Sequence, residues 1–355
     1  MAALRPPAPP PDPVTTKAGP DHHERQTTLT LTSASRPEGP ADVAWVAEGA
    51  QRIARNMEQV IKGKPDAVAL AIIALLAEGH VLIEDVPGVG KTSLARALAA
   101  SLGAAWNRIQ FTPDLLPSDV TGATIFHQHD GSFSFHPGPI FANVVLADEI
   151  NRASPKTQSS LLEVMEERRV TVDGEAHGVP RPFVVMATQN PVEMDGTYRL
   201  PEAQLDRFLI RVSMGYPDAA TESSILASDG AAAGIAALSP VVTADEVTRM
   251  IRIVIGIRVA PVLRDYIVSL TATTRTLPEV RLGASPRASL ALMRAAKARA
   301  AMAGRDYATA DDVKALAHAV LGHRMVLGSQ AALTETTTTK LIADIVRAIP
   351  VPTAG

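Results

Sequence analysis

Residues Asp85, Val86, Pro87, Gly88, Val89, Gly90, Lys91, Thr92 and Ser93 follow the order a bound phosphate requires: small residues, a lysine, then two hydroxyls opening a helical pattern. Backbone N–H groups at a helix start, together with the helix dipole, favour phosphate oxygens. Lys91 would meet the β- and γ-phosphates of a nucleoside triphosphate such as ATP, and Thr92 a magnesium ion. In a chain of this length a bare Gly-Lys-Ser/Thr arises about 0.2 times by chance, and the preceding Pro-Gly-x lowers that below ~0.001, so coincidence does not account for the string. One position departs from the general pattern, which begins with glycine. Asp85 stands there, a residue that resists a positive φ less than most.

A phosphate cradle alone only binds; turnover needs acids. The apolar run Val144 to Ala147 delivers two at its C-terminal end, Asp148 to hold Mg²⁺ through the metal's water shell and Glu149 to polarise the attacking water. The next such run ends in Ala-Thr-Gln-Asn, where Asn190 would hold the same water, although an asparagine after a strand also serves as a turn former. Arg207 closes a short helical stretch after Pro201 and has two readings, an anion ligand or a surface salt bridge with Asp206 or Glu202. Ser285 and Pro286 open a helix that displays Arg287 in its first turn. A cation gains nothing from the helix dipole there, and a γ-phosphate would supply the missing anion.

These groups need elements to position them. His80 to Asp85 reads as a buried strand directly before the glycine string, and an Ala/Leu-rich helix closed by Gly103 follows it. Further strand patterns at 108–111, 144–147 and 183–187 alternate with helical ones, which indicates a parallel sheet covered on both faces. Asp173-Gly174 marks a two-residue hairpin turn. Val43, Val46, Ala50, Ile53, Met57 and Val60 recur at helical spacing and mark where folded structure begins. Beyond Pro217 the strand signals fade, and Thr243 with Glu246 and Thr309 with Asp312 head helices as capping boxes. The expected organisation is a Pro/Thr-rich tail at 1–40, holding nine of the 27 prolines, an α/β unit at 41–216, a helical unit at 217–350 and a short tail at 351–355.

Composition narrows the classes further. Aromatics at 4% against 46% apolar residues argue against an all-β sandwich. A formal charge of −3 gives no general attraction to nucleic acid or to an anionic membrane. The absence of cysteine removes thiol nucleophiles and thiolate zinc sites. No apolar run reaches the ~18 residues of a membrane span, so a soluble, cytoplasmic protein is expected.

Over roughly residues 41–350 the chain resembles the MoxR family of AAA+ ATPases. The resemblance rests on GHVLIEDVPGVGKTSLARAL, QFTPDLLPSDVTG, HPGPIFANVVLADEINRASPKTQSSLLEVMEE, MATQNP and LPEAQLDRFLIRV, in order and spacing. In this family the place of Asp85 is not restricted to glycine. The resemblance implies a P-loop αβα sandwich with a parallel five-stranded sheet of order 5-1-4-3-2, then an α-helical lid, in a homo-oligomeric and usually hexameric ring with nucleotide at subunit borders. By position, Lys91 and Thr92 match Walker A, Asp148 and Glu149 Walker B, Asn190 sensor 1, Arg207 the arginine finger and Arg287 sensor 2, acting in cis or in trans. The stretch from Gly122 to Pro139 matches an inserted hairpin that would touch clients. Family members act as chaperone-like factors on protein complexes, often with a von Willebrand factor A-domain partner. The ATPase subunit of a magnesium or cobalt chelatase and a nucleotide-gated binding protein with little turnover are the alternatives. A nucleic-acid motor would need basic and aromatic residues in the insert, which has no Lys or Arg.

Overall fold

The first helix, α1 (Pro40–Glu58), forms because its apolar residues fall on one stripe: Val43, Val46, Ala50, Ile53 and Met57 are all buried. α2 (Pro65–Leu76) opens on a proline, whose fixed φ suits a first helical position, and leads into β1 (Val81–Glu84). The computed structural model describes residues 40–190, 198–227, 231–333 and 335–351, all within one compact unit. The tail expected at 1–40, Pro40 apart, and residues 352–355 of the expected C-terminal tail lie outside the described residues.

After β1 come α3 (Lys91–Ser101), β2 (Trp106–Gln110), α4 (Pro117–Thr121) and a hairpin of β3 (Gly122–His127) with β4 (Ser132–Pro137). Then follow β5 (Val144–Asp148), α5 (Pro155–Glu167), a second hairpin of β6 (Arg169–Val172) with β7 (Glu175–Gly178), β8 (Val184–Gln189), the short α6 (Glu202–Leu205) and β9 (Ile210–Val212). The Asp173-Gly174 turn forms as expected, with φ of 51° and 85°. Five strands pair in parallel in the order β2-β5-β8-β1-β9. The expected order 5-1-4-3-2 therefore does not hold in chain numbering, because the two hairpins add strands outside the sheet. Counted among the sheet's own five strands, the arrangement read from β9 is 5-1-4-3-2.

Side chains alternate across this sheet. Val81, Ile83, Val144, Leu146, Val184 and Met186 join one apolar cluster, whereas Leu82, Val145, Ala147, Val185 and Ala187 join another with Leu161, Leu162 and Met165 of α5. Helices consequently cover both faces, giving the expected αβα sandwich. The chain continues through α7 (Ala219–Ala227), α8 (Ala231–Ala237), α9 (Ala244–Ile255), α10 (Pro261–Thr273), β10 (Val280–Leu282), α11 (Pro286–Met302), α12 (Ala310–Leu321), β11 (Val326–Leu327), α13 (Ser329–Leu333) and α14 (Thr338–Ala348). Both capping boxes expected from the sequence are present, at Thr243 with Glu246 and at Thr309 with Asp312. Val247, Leu292 and Val313 of this helical part share the first cluster with β1, so the two parts pack through one core.

Two buried histidines belong to that packing. Val185 N–H donates to His80 Nδ1 at 3.0 Å, so Nε2 carries the proton and donates to the Met165 carbonyl at 3.0 Å. Burial pushes the His80 pKa down to about 4, helped by Arg168 and Arg294 and opposed by the Met165 carbonyl. His323 is lowered well below 6.5 by burial and then by Arg324. Both stay neutral in the fold while the unfolded chain protonates them near 6.5, so stability is full above that pH and falls as pH drops toward 4. His80 alone accounts for roughly 3 kcal/mol across that window. Urea unfolding at pH 7.0, 5.5 and 4.5 measures this; a midpoint that does not move would contradict it.

Candidate active site

The sheet brings the expected chemistry together at one edge. β5, β8 and β1 are neighbours running in the same direction, so Asp148 and Glu149 at the end of β5, Asn190 after β8 and the glycine string after β1 all lie at the C-terminal edge. The string forms a loop into α3. Gly88 has φ of 85° with open space where a Cβ would stand, and Gly90, at 94°, is the left-handed residue before Lys91. Lys91 Nζ donates to the Asp85 carbonyl at 2.7 Å. Thr92 and Ser93 sit half-buried in the first turn of the helix.

Asp85 corrects the sequence reading. It is absent from the positive-φ residues, so its backbone makes no demand for glycine. Its buried carboxylate instead takes the Met214 and Gly215 N–H groups at 2.6 and 2.7 Å, with the Ser213 hydroxyl at 3.3 Å and the Val86 N–H at 3.0 Å. The loop is thereby tied to the end of β9. Glu84, one residue earlier, receives Gln189 of β8 and Arg211 of β9, the latter at 2.9 Å, which joins three strand tips.

At the end of β5 the backbone of Glu149 is left-handed, with φ 57° and ψ 47°, an uncommon state for a non-glycine residue. Thr188, 1% exposed, holds it there: its hydroxyl accepts the Glu149 N–H at 2.9 Å and donates to Asp148 Oδ1 at 2.5 Å. Arg108 donates through Nε and Nη2 to Asp148 Oδ2, at 3.0 and 2.7 Å. Gln110 and Arg152 both donate to Glu149 Oε2, at 2.8 and 2.9 Å. Sequence reading missed Arg108, Gln110 and Thr188. Their signal is the parallel pairing of β5 with β2, which sets Arg108 and Gln110 beside the two acids, and with β8, which brings Thr188 there, and one strand cannot show that.

Arg207 and Arg287 lie elsewhere. Arg207 comes three residues before the first residue of β9, and the Leu209 N–H bonds the carbonyl of His80, just before β1. Arg207 is therefore at the N-terminal edge of the sheet, about a strand's length, roughly 13 Å, from the loop after β1, and Arg287 meets it there on Glu166. The expected partners of Arg207 are engaged otherwise, Asp206 with Arg324 and Glu202 with Arg281. Arg207 Nε instead lies 3.2 Å from Glu166 Oε2, a close ion pair whose N–H is not aimed at the oxygen. Arg287 follows the N-cap Ser285 in α11, as expected, and its Nη2 reaches Glu166 Oε1 at 2.5 Å. A cavity of about 260 Å³ opens beside them, lined also by Arg168, Arg294 and Arg324. His127, His129 and His136, in and beside the β3–β4 hairpin, form no candidate metal site among the described residues.

Comparison with known proteins agrees with this arrangement. A sequence profile described as the ATPase family associated with various cellular activities (AAA) matches residues 80–210, and one for an AAA lid domain matches 272–345. The chain is 50% identical over 297 residues to the uncharacterized protein YeaC of Bacillus subtilis, covering 84% of this chain and 93% of that one. It is 39% identical over 326 residues to the chaperone MoxR1 of Mycobacterium tuberculosis, covering 89% and 86%. The chain belongs to the MoxR family of AAA+ ATPases. A solved structure of a candidate ATPase from Cytophaga hutchinsonii superposes on this MoxR-family chain with a TM-score of 0.82 at 34% identity, covering 88% of this chain and 98% of the other. The expected fold, a P-loop α/β core followed by a helical AAA lid, thus stands.

Asp85→Ala leaves the buried Met214 N–H without its acceptor and frees the loop, so stability should fall by about 1–3 kcal/mol. Denaturant titration reads the loss and fluorescent-nucleotide titration the weaker binding expected with it; an alanine variant as stable as the parent would remove Asp85 from this role.

Proposed function

We propose that this chain is a chaperone-like ATPase that binds ATP with Mg²⁺ at the borders between subunits of a homo-oligomeric ring. The observation that carries this reading is the separation just described: cradle and acids at one edge of the sheet, both arginines at the other. A single subunit holds two halves of two different sites. Packing the edges of neighbours together, as in a ring, unites each cradle with the next subunit's arginines, so Arg207 and Arg287 both act in trans.

The cradle suits a triphosphate, with open space above Gly88 and helix N–H groups behind it. The Thr92 hydroxyl and the Asp148 carboxylate are hard oxygen donors of the kind Mg²⁺ takes, and the ion would shield phosphate charge during transfer. Lys91 neutralises the β- and γ-phosphates. Glu149 accepts a proton from water as the water oxygen bonds to the γ-phosphorus and the bond to the bridging oxygen of ADP breaks. Asn190 orients that water, and the neighbour's arginines stabilise the charge that develops.

Residues 41–216 form the ATPase core in this reading and 217–350 the lid. The ring is hexameric and cytoplasmic. Its cycle serves maturation or assembly of a protein complex, with a von Willebrand factor A-domain partner and a protein client; the name of the relative MoxR1 as a chaperone supports this class. No helix of the described residues is long and apolar enough to cross a membrane.

Glu149→Gln should keep ATP affinity and lose turnover at least a hundredfold, since a general base contributes about 10²–10⁴. Hydrolysis at the parent rate would remove Glu149 from the role. Arg207→Ala and Lys91→Ala subunits, each inactive alone, should regain turnover when mixed, because one supplies the cradle and the other the arginine. Silence after mixing, with both assembled, would count against a shared site.

A further inference from the structure

Arg207 and Arg287 come from different elements yet meet on one carboxylate. Glu166, in the last turn of α5, places Oε2 3.2 Å from Arg207 Nε and Oε1 2.5 Å from Arg287 Nη2. α5 runs 13 residues, about 20 Å, from the C-terminal edge of the sheet to the N-terminal edge, where the Met165 carbonyl is fixed by buried His80. Glu166 thus projects from an anchored turn. Two guanidinium groups at this spacing repel, and a carboxylate with two acceptor oxygens is the group that holds both.

The rear of the same pair is also fixed. Asp206, next to Arg207, accepts Arg324 Nε at 2.7 Å through Oδ1 and the Ser285 hydroxyl at 2.7 Å through Oδ2, and Ser285 caps the helix that carries Arg287. Arg324, 6% exposed, spends its remaining donors on the carbonyls of Asp206, Phe208, Leu209 and Val320. The backbones bearing the two arginines are therefore locked together, and both side chains face the Glu166 carboxylate. Arg287 donates one N–H to Glu166 and Arg207 faces it through an ion pair alone; no other guanidinium N–H of the two makes a hydrogen bond among the described residues. The arginine side chains stay 30% and 57% exposed, open to an approaching subunit.

We propose that Glu166 is a positioning residue for hydrolysis in the neighbouring subunit: its carboxylate sets the two arginines at one spacing, so that the neighbour's γ-phosphate meets them as a pair. The role rests on the reading that both arginines act in trans. Glu166→Gln separates this role from its opposite, a counter-ion the phosphate must displace. A glutamine amide offers one acceptor and one donor, so it holds one arginine and turns its NH₂ on the other. Glu166→Asp keeps two acceptor oxygens on a shorter stem.

The test places each change only in the subunit that donates arginines. Arg207→Ala subunits, with intact cradles, are mixed with Lys91→Ala subunits, and Mg²⁺-dependent ATP turnover is measured at their junctions. Replacing the donor by Lys91→Ala/Glu166→Gln should lower kcat about tenfold, the size of one lost charge-assisted contact, with KM for ATP unchanged. Lys91→Ala/Glu166→Asp should recover part of it. Matched melting temperatures and matched ring assembly of the donors set misfolding aside, because the Glu166 side chain is 38% exposed. Turnover within twofold of the parent mixture, or above it, overturns the proposal. A silent parent mixture removes the shared-site reading, and this role with it.

Discussion

Every strand of the central sheet points the same way, and the rest of the molecule follows from that. Parallel pairing collects the residues after β1, β5 and β8 at one edge and the residues before β1 and β9 at the other. Glycine loop, acids and Asn190 fall on the first side, Arg207 and Arg287 on the second. No side chain spans the strand length between them, so on the proposed reading catalysis belongs to a pair of subunits.

β9 joins the two edges. Arg207 lies just before it, and its far end runs into Ser213, Met214 and Gly215, which grip Asp85 at the root of the glycine loop. Arg207, which the proposed reading offers to a neighbouring subunit, and the glycine loop, which on that reading holds the subunit's own phosphates, therefore sit at opposite ends of one short strand. Arg324 and Ser285 attach the helical part to the same place through Asp206, which gives a contiguous physical link between core, lid and arginines.

Much of this was legible in the sequence. The glycine string, the acids after an apolar run, the Asp173-Gly174 turn and both capping boxes are local patterns, and local patterns survive folding. The misses share another character. Asp85 was read only as a stand-in for glycine, because its carboxylate acts on residues 129 and 130 positions away, Met214 and Gly215. Arg207 offered Asp206 and Glu202 as neighbours in sequence, whereas its partner Glu166 is supplied by α5. Thr188 and Gln110 are ordinary strand residues until the sheet sets them beside Asp148 and Glu149. Register and long-range pairing decide such roles, and neither is written in a short window.

On the proposed reading one subunit lacks a complete site and two share one. The decisive experiment follows ATP turnover per subunit as the protein is concentrated from below to above its assembly range, with sedimentation as the measure of ring formation. Turnover should be negligible for the monomer and rise steeply to a plateau as rings form. Equal turnover per subunit at dilutions where only monomer sediments would contradict it.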